Sequence, residues 1–273
     1  MKHDKVLLKQ RFERHLGTYD TLATVQRAIA GRLATLLEST GTSDLKEGGK
    51  KGVEIGTGTG FLTRHLIRLF PRTEWTLNDL VPKSRDFLPP TTPCGVPLRF
   101  TAGDGELFRF GTAVYDLIAS ASTVQWFDDL PGFIARAAAG LAPGGILALG
   151  TFGPENFREI TATTGQGLEY YPLGELVRIF STNGLRILSE EEWIEEQHYP
   201  APTDVLRHLR LTGVNAVAAE RWTHSRLKQF EADYRSAYSV GAASASGPKK
   251  EEEKSGESVT LTFHPILLIA EKH

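Results

Sequence analysis

Cysteine is nearly missing: the 273 residues include one, Cys94. A lone thiol excludes an internal disulfide framework and every zinc site that needs two thiolates. Cys94 reads most simply as a small apolar side chain. Long apolar runs are missing as well, the longest being Ile266 to Ala270, far below the roughly 20 residues that span a bilayer. No membrane partner is expected. The first nine residues hold only three consecutive apolar side chains, too few for a secretion signal, so a cytoplasmic location is expected. No charge of one sign dominates. With 31 Lys and Arg against 33 Asp and Glu the net charge is -2, which supplies no general field for nucleic-acid phosphates. His15, His198, His208 and His264 lack metal-ligand spacing, and no metal is implied.

What remains is ordinary globular composition, 40% hydrophobic and 23% charged, in a chain long enough for one large α/β unit. Leu22, Val25, Ile29, Leu33 and Leu36 recur at steps of three and four and predict a leading helix, with Gly41 after its end. Val53 and Ile55 begin a short strand that runs into Gly56-Thr57-Gly58-Thr59-Gly60, and a helix from Phe61 to Leu69 follows, ended by Pro71. Further strands are expected at 74–79, 98–101, 115–120 and 145–152, the last entered through a turn at Leu141 to Gly145. Strands alternating with helices imply a parallel sheet covered on both faces.

A helix over 171–183, a strand over 185–193 and helices over 203–211 and 222–238 follow. The polar segment 241–258 is low in complexity and expected to be mobile. Val259 to Ile269 predicts one final buried strand. The whole chain, 1–273, reads as a single domain: leading helices over 1–40, a cofactor core over 51–152 and a substrate-side half over 153–273.

Glu54-Ile55-Gly56-Thr57-Gly58-Thr59-Gly60 closes a strand and opens a helix, which lets the backbone turn tightly and approach a ligand. The dinucleotide pattern G-x-G-x-x-G is broken at Phe61, and no G-x-x-x-x-G-K-[ST] occurs, so phosphate cradling is disfavoured. An acidic Glu54 beside the loop suits a cationic ligand. Asp79, at the end of the second strand beside Asn78 and Leu80, offers a carboxylate to ribose hydroxyls without deciding which nucleoside binds. Gly103-Asp104-Gly105 follows the third strand. Singly, these could be a structural turn, a loop acid and an Asx turn. Their order across three successive strand ends is what points to a nucleoside.

The spacing E-x-G-x-G-x-G resembles the first motif of the class I S-adenosylmethionine-dependent methyltransferases. That resemblance implies a doubly wound, mostly parallel, seven-stranded Rossmann-like α/β sheet with a helical substrate cap, and S-adenosyl-L-methionine as cofactor. It also puts Asp104 near the adenine amino group. Within that class, segments along most of the chain resemble the malonyl-acyl-carrier-protein O-methyltransferases of biotin synthesis: Arg11-Phe12, Tyr19-Asp20 and Val25-Gln26; Ser120 to Phe127; Thr151 to Glu159; Leu211 to Ala216; and Thr260 to Pro265. The charged segment 241–258 is not a feature of that family.

The family resemblance implies methyl transfer to the free carboxylate of a malonyl thioester, carried by acyl carrier protein or by coenzyme A. A carboxylate with a pKa near 4 is ionised at pH 7 and needs no general base. A cation should hold its second oxygen, and Arg158, just past the fifth strand, is the expected catalytic cation. Its alternative is a surface ion pair with Glu155 or Glu159. Tyr19 is expected to close over the cofactor, and Ser120, Gln125 and Trp126 to line the pocket. Carrier proteins are acidic, so Arg207, His208, Arg210, Arg221, Arg226 and Lys228 are candidates for docking, against a mixed solvated face as the plainer reading. Two rival functions stay open: another small-molecule carboxyl or quinone-precursor methyltransferase, and a binding protein without turnover.

Overall fold

The computed structural model describes residues 4–40, 45, 47–213, 223–241 and 257–273. Two helices lead. α1 (Lys5–Leu22) is capped by Asp4, whose carboxylate accepts from the amides of Val6 and Leu7. The chain breaks at Ala23 and resumes as α2 (Thr24–Ser39), so Leu22 belongs to the first helix and not to the stripe of the second. Gly41 lies outside the described residues.

The expected alternation follows: β1 (Lys51–Ile55), α3 (Phe61–Leu69), β2 (Glu74–Asp79), β3 (Arg99–Ala102), β4 (Tyr115–Ala121), α4 (Leu130–Gly140) and β5 (Leu141–Phe152). Here the expected turn at Leu141 to Gly145 is absorbed into the strand. Leu141 pairs with Tyr115 and Ile146 with Leu117, and the extra residues between them bulge out around Gly144, whose φ is 75°. Then come α5 (Arg158–Thr164), α6 (Leu173–Thr182), β6 (Leu185–Glu192), β7 (Glu195–Tyr199), α7 (Pro202–Leu211), α8 (His224–Tyr238), β8 (Ser239–Val240), β9 (Ser258–Phe263) and β10 (Pro265–Lys272). Of the segment 241–258, residues 242–256 lie outside the described residues.

Seven strands form one sheet in the order β3-β2-β1-β4-β5-β10-β6, parallel except for β10, which runs antiparallel to both neighbours. Alternation along each strand sends side chains to opposite faces. Leu117, Ala119, Ala148 and Leu267 pack with α2 and α3, whereas Ile118, Leu147, Leu149 and Leu268 pack with α4 and α6. Covering both faces is what a parallel sheet requires.

The final strand departs from expectation. It divides at His264, and its first half, β9, joins a separate antiparallel sheet of order β7-β9-β8, while β10 enters the main sheet. Pro265 cannot donate to a ladder, which favours the change of partner there. With α7 and α8 this small sheet forms a second layer, secured by the buried Tyr234 hydroxyl donating to the Thr260 carbonyl at 2.6 Å. Cys94 is exposed, contrary to its apolar reading, because the Thr92 to Gly95 turn projects it outward.

Candidate active site

Strand order reverses between β1 and β4, and at such a switch point the loops past the carboxyl ends of the strands diverge and leave a crevice. The first loop turns through left-handed backbone at Gly56, Gly58 and Gly60, with φ of 75°, 51° and 90°. A Cβ on Gly56 would stand 2.0 Å from the Thr123 hydroxyl, so only glycine packs there, whereas Gly58 faces open space. The amides of Gly56 and Thr57 donate to the Asn78 carbonyl at 2.8 and 3.0 Å, and the Gly58 amide donates to the Asp79 carboxylate at 2.7 Å. The first two loops are thereby tied together.

Asp79 also accepts from the Val81 amide at 2.8 Å. Burial raises its carboxyl pKa, and those two amides oppose the rise. Glu54 is buried, and removal from water pushes its pKa up to about 8 even though the Thr63 hydroxyl donates to it at 2.6 Å. Asn78 donates to the carbonyls of Thr101 and Gly103, which fixes the third loop. There Asp104 accepts from the Glu106 amide at 3.0 Å and stands 3.5 Å from the Lys5 ammonium of α1.

These groups border one cleft of about 960 Å³, open solvent at its mouth included. Tyr19, Glu54, Gly56, Thr57, Gly58, Asn78, Asp79, Leu80, Asp104, Gly105 and Trp126 all line it. Tyr19 stacks on Phe61, with ring centroids 5.8 Å apart, and burial raises its phenol pKa. Its hydroxyl is therefore neutral.

Other expected residues serve the loops from behind. Gly60 closes the turn onto the Thr57 carbonyl, Gly103 pairs with Asp79 through its amide, and the Ser120 hydroxyl is spent on the Ile55 carbonyl at 2.9 Å. None of the three is among the residues lining the cleft. Gln125 lines a smaller pocket that shares Phe12, Tyr19, Gln26, Ser122 and Trp126 with the cleft and adds Phe152, Asn156, Phe157, Leu168 and Tyr170.

Arg158 is not brought to either cavity. Its guanidinium lies 3.3 Å from Glu155, 3.1 Å from Glu196 and 3.7 Å from the fully buried Glu159, the surface pairing that was its alternative reading. It compensates the charge of Glu159, which also accepts from the Thr262 amide at 3.0 Å. Of the docking candidates, His208 is half-buried against Tyr199 and Phe263, and removal from water pulls its pKa down to about 4, so it carries no charge at pH 7. Arg207 pairs with Asp204, and Arg221 lies outside the described residues.

Sequence reasoning assigned no role at the site to Lys5, Phe61, Ser122, Asn156 or Tyr170, and used Gln26 only for resemblance. Gln26 carried a readable signal, a polar residue beside the apolar stripe Val25, Ile29 and Leu33 that proves to be buried. Tyr170 carried none, because nothing local distinguishes it from Tyr171.

The cleft fits a cationic nucleoside on physical grounds. Two carboxylates, Glu54 and Asp79, are held in it at raised pKa, and the buried Thr57 and Thr59 hydroxyls and the Asn78 amide oxygen have no protein partner among the described residues.

A family model described as a methyltransferase domain matches residues 53–149, the span that carries all three loops. The chain is similar to the YcgJ protein of Bacillus subtilis, with a TM-score of 0.59 at 16% identity, over 89% of this chain and 99% of that one, a likeness of fold. It is 36% identical over 265 residues to a malonyl-[acyl-carrier protein] O-methyltransferase of Prosthecochloris aestuarii, covering 96% of this chain and 92% of the relative. The same name belongs to a Porphyromonas gingivalis relative, 35% identical over 98% of this chain and 96% of that one. A likeness of that depth along nearly the whole length of both makes this chain a member of the malonyl-[acyl-carrier protein] O-methyltransferase family.

Proposed function

We propose that this protein methylates the free carboxylate of a malonyl thioester on acyl carrier protein, with S-adenosyl-L-methionine as methyl donor. One observation carries the reading beyond the family's name: among the described residues, no His, Asp, Glu, Lys or Arg lines the pocket adjoining the cleft. Its titratable groups are Tyr19 and Tyr170, and burial raises the pKa of both. None of the described residues lining it offers a base. A carbon or phenol acceptor would need one, whereas a carboxylate arrives ionised.

When bound, the donor supplies an electrophilic methyl group on a positive sulfur. Glu54 and Asp79 would balance that ligand's charge and take its polar groups, Asp104 and the Gly105 region would meet the base, and Tyr19 with Phe61 would cover it. The contribution of the chain is placement, since aligning reactants supplies on the order of 7 to 11 kcal/mol without any proton transfer. The malonyl arm would reach the pocket past α1 and α7, where Arg14 and Arg210 lie near enough to His15 to lower its pKa after burial has done so first. Positive groups there suit an acidic carrier.

The test is to incubate the protein with methyl-labelled donor and malonyl-acyl carrier protein, malonyl-coenzyme A or a free dicarboxylic acid. A base-labile labelled ester on the carrier-bound substrate is expected. Label only on the free acid would favour the smaller-substrate reading, and tight S-adenosylhomocysteine binding with no ester on any of the three would leave a binding protein.

A further inference from the structure

The pocket behind Tyr19 is walled by Phe12, Trp126, Phe152 and Phe157, and inside it hydrogen-bonding capacity is left over. The Tyr170 hydroxyl accepts from the Asn156 amide at 2.8 Å, so its own proton has no acceptor among the described residues. Gln26 is buried, and its side-chain amide makes no hydrogen bond among the described residues. Ser122, held in left-handed backbone at φ 53°, has a buried hydroxyl with no partner among the described residues. A buried polar group without a partner is costly, and strain at a non-glycine residue persists where surroundings impose it. Beside these donors the buried Gln125 amide oxygen is an unpartnered acceptor, and among the described residues no cation lines the pocket.

We propose that the hydroxyl of Tyr170 and the amide of Gln26 receive the acceptor's carboxylate in place of the guanidinium expected at Arg158. The proposal rests on the carboxyl-methylation reading. Its chemistry explains why neutral donors are the better choice. The bond formed joins a carboxylate oxygen to the methyl carbon, the bond broken joins that carbon to sulfur, its electron pair leaves on sulfur, and no proton moves. A negative and a positive reactant thus become two neutral products, and the transition state carries less separated charge than the ground state. A fixed cation on the carboxylate would stabilise the ground state more than the transition state, lowering the rate. Neutral donors orient the oxygens without that penalty, and the aromatic walls keep water from the nucleophile.

The experiment titrates malonyl-coenzyme A and acetyl-coenzyme A, which lacks the carboxylate, into protein saturated with S-adenosylhomocysteine, alongside steady-state turnover of malonyl-acyl carrier protein. Removing a hydrogen bond to a charged group should weaken malonyl binding by about ten-fold or more in Tyr170→Phe and in Gln26→Leu, with acetyl binding little changed. Arg158→Leu should keep the preference for malonyl. Gln26→Lys should tighten malonyl binding while lowering kcat. A malonyl preference that survives both Tyr170→Phe and Gln26→Leu, or that collapses in Arg158→Leu, overturns the assignment. Should the wild-type protein form no malonyl ester, the carboxyl-methylation reading fails and takes the assignment with it.

Discussion

The hydroxyl of Thr63, in the first turn of α3, donates to the carboxylate of Glu54 in the interior strand β1 at 2.6 Å. That single bond is a small return for burying a carboxyl group, and the pKa near 8 shows desolvation winning. The folded state therefore binds a proton more tightly than the unfolded chain, whose carboxyl titrates near 4.5. Stability of the ligand-free protein should be greatest below about pH 4.5 as far as Glu54 is concerned, and that contribution should be lost as pH rises to about 8. Glu54→Gln should flatten the slope in denaturant titrations between those limits, by an amount on the order of a few kcal/mol. Binding of S-adenosyl-L-methionine should release a proton near pH 7, seen calorimetrically in buffers of different ionisation enthalpy, and the variant should not.

Gly56 and Gly58 share a sign of φ but not a neighbourhood. A methyl group on Gly56 meets Thr123 at 2.0 Å, so Gly56→Ala should add steric overlap to a backbone strain of about 1 to 2 kcal/mol and lower the melting temperature. Gly58→Ala meets nothing within 4 Å and should cost only the strain, while its methyl group enters the cleft and weakens nucleoside binding. Thermal unfolding with and without S-adenosylhomocysteine separates the two effects.

Lys5 joins α1 to the third loop through Glu106 at 2.9 Å and Asp104 at 3.5 Å. Burial would raise the pKa of Glu106, and Lys5 together with the amides of Asp128 and Asp129 brings it below the usual range instead. Lys5→Met should cost about 1 kcal/mol or less in global stability, since the pair is partly solvated. It should nevertheless free α1, measurable as faster amide exchange over residues 5–22 and weaker nucleoside affinity.

Arg158→Leu should act on stability and leave the nucleoside site alone. Glu159 would keep its Thr262 donor but lose its nearest positive charge, a change of about 1 kcal/mol expected because Arg158 is itself half-exposed. Denaturant melts should show the loss, and S-adenosylhomocysteine titrations should show none.

The chain's own pattern determined the alternation of strand and helix, the left-handed glycine loop and the order of acids at three strand ends. Each of these is written within a few residues, through side-chain periodicity and through the conformations open to glycine. Tertiary structure decided the rest. Val259 to Ile269 reads as one strand because its apolar residues run on almost unbroken, yet partners drawn from 195–199 and from 141–152 pull its halves into different sheets. Arg158 is held away from the pocket behind Tyr19 by Glu196, 38 residues away, and by Glu159, which Thr262 holds from 103 positions along the chain. Tyr170 and Gln26, far apart in sequence, line one pocket only in the folded chain. Long-range contacts choose which polar groups face water, which face one another and which face a ligand, and that choice is electrostatic and steric bookkeeping over the whole fold, invisible to any local window.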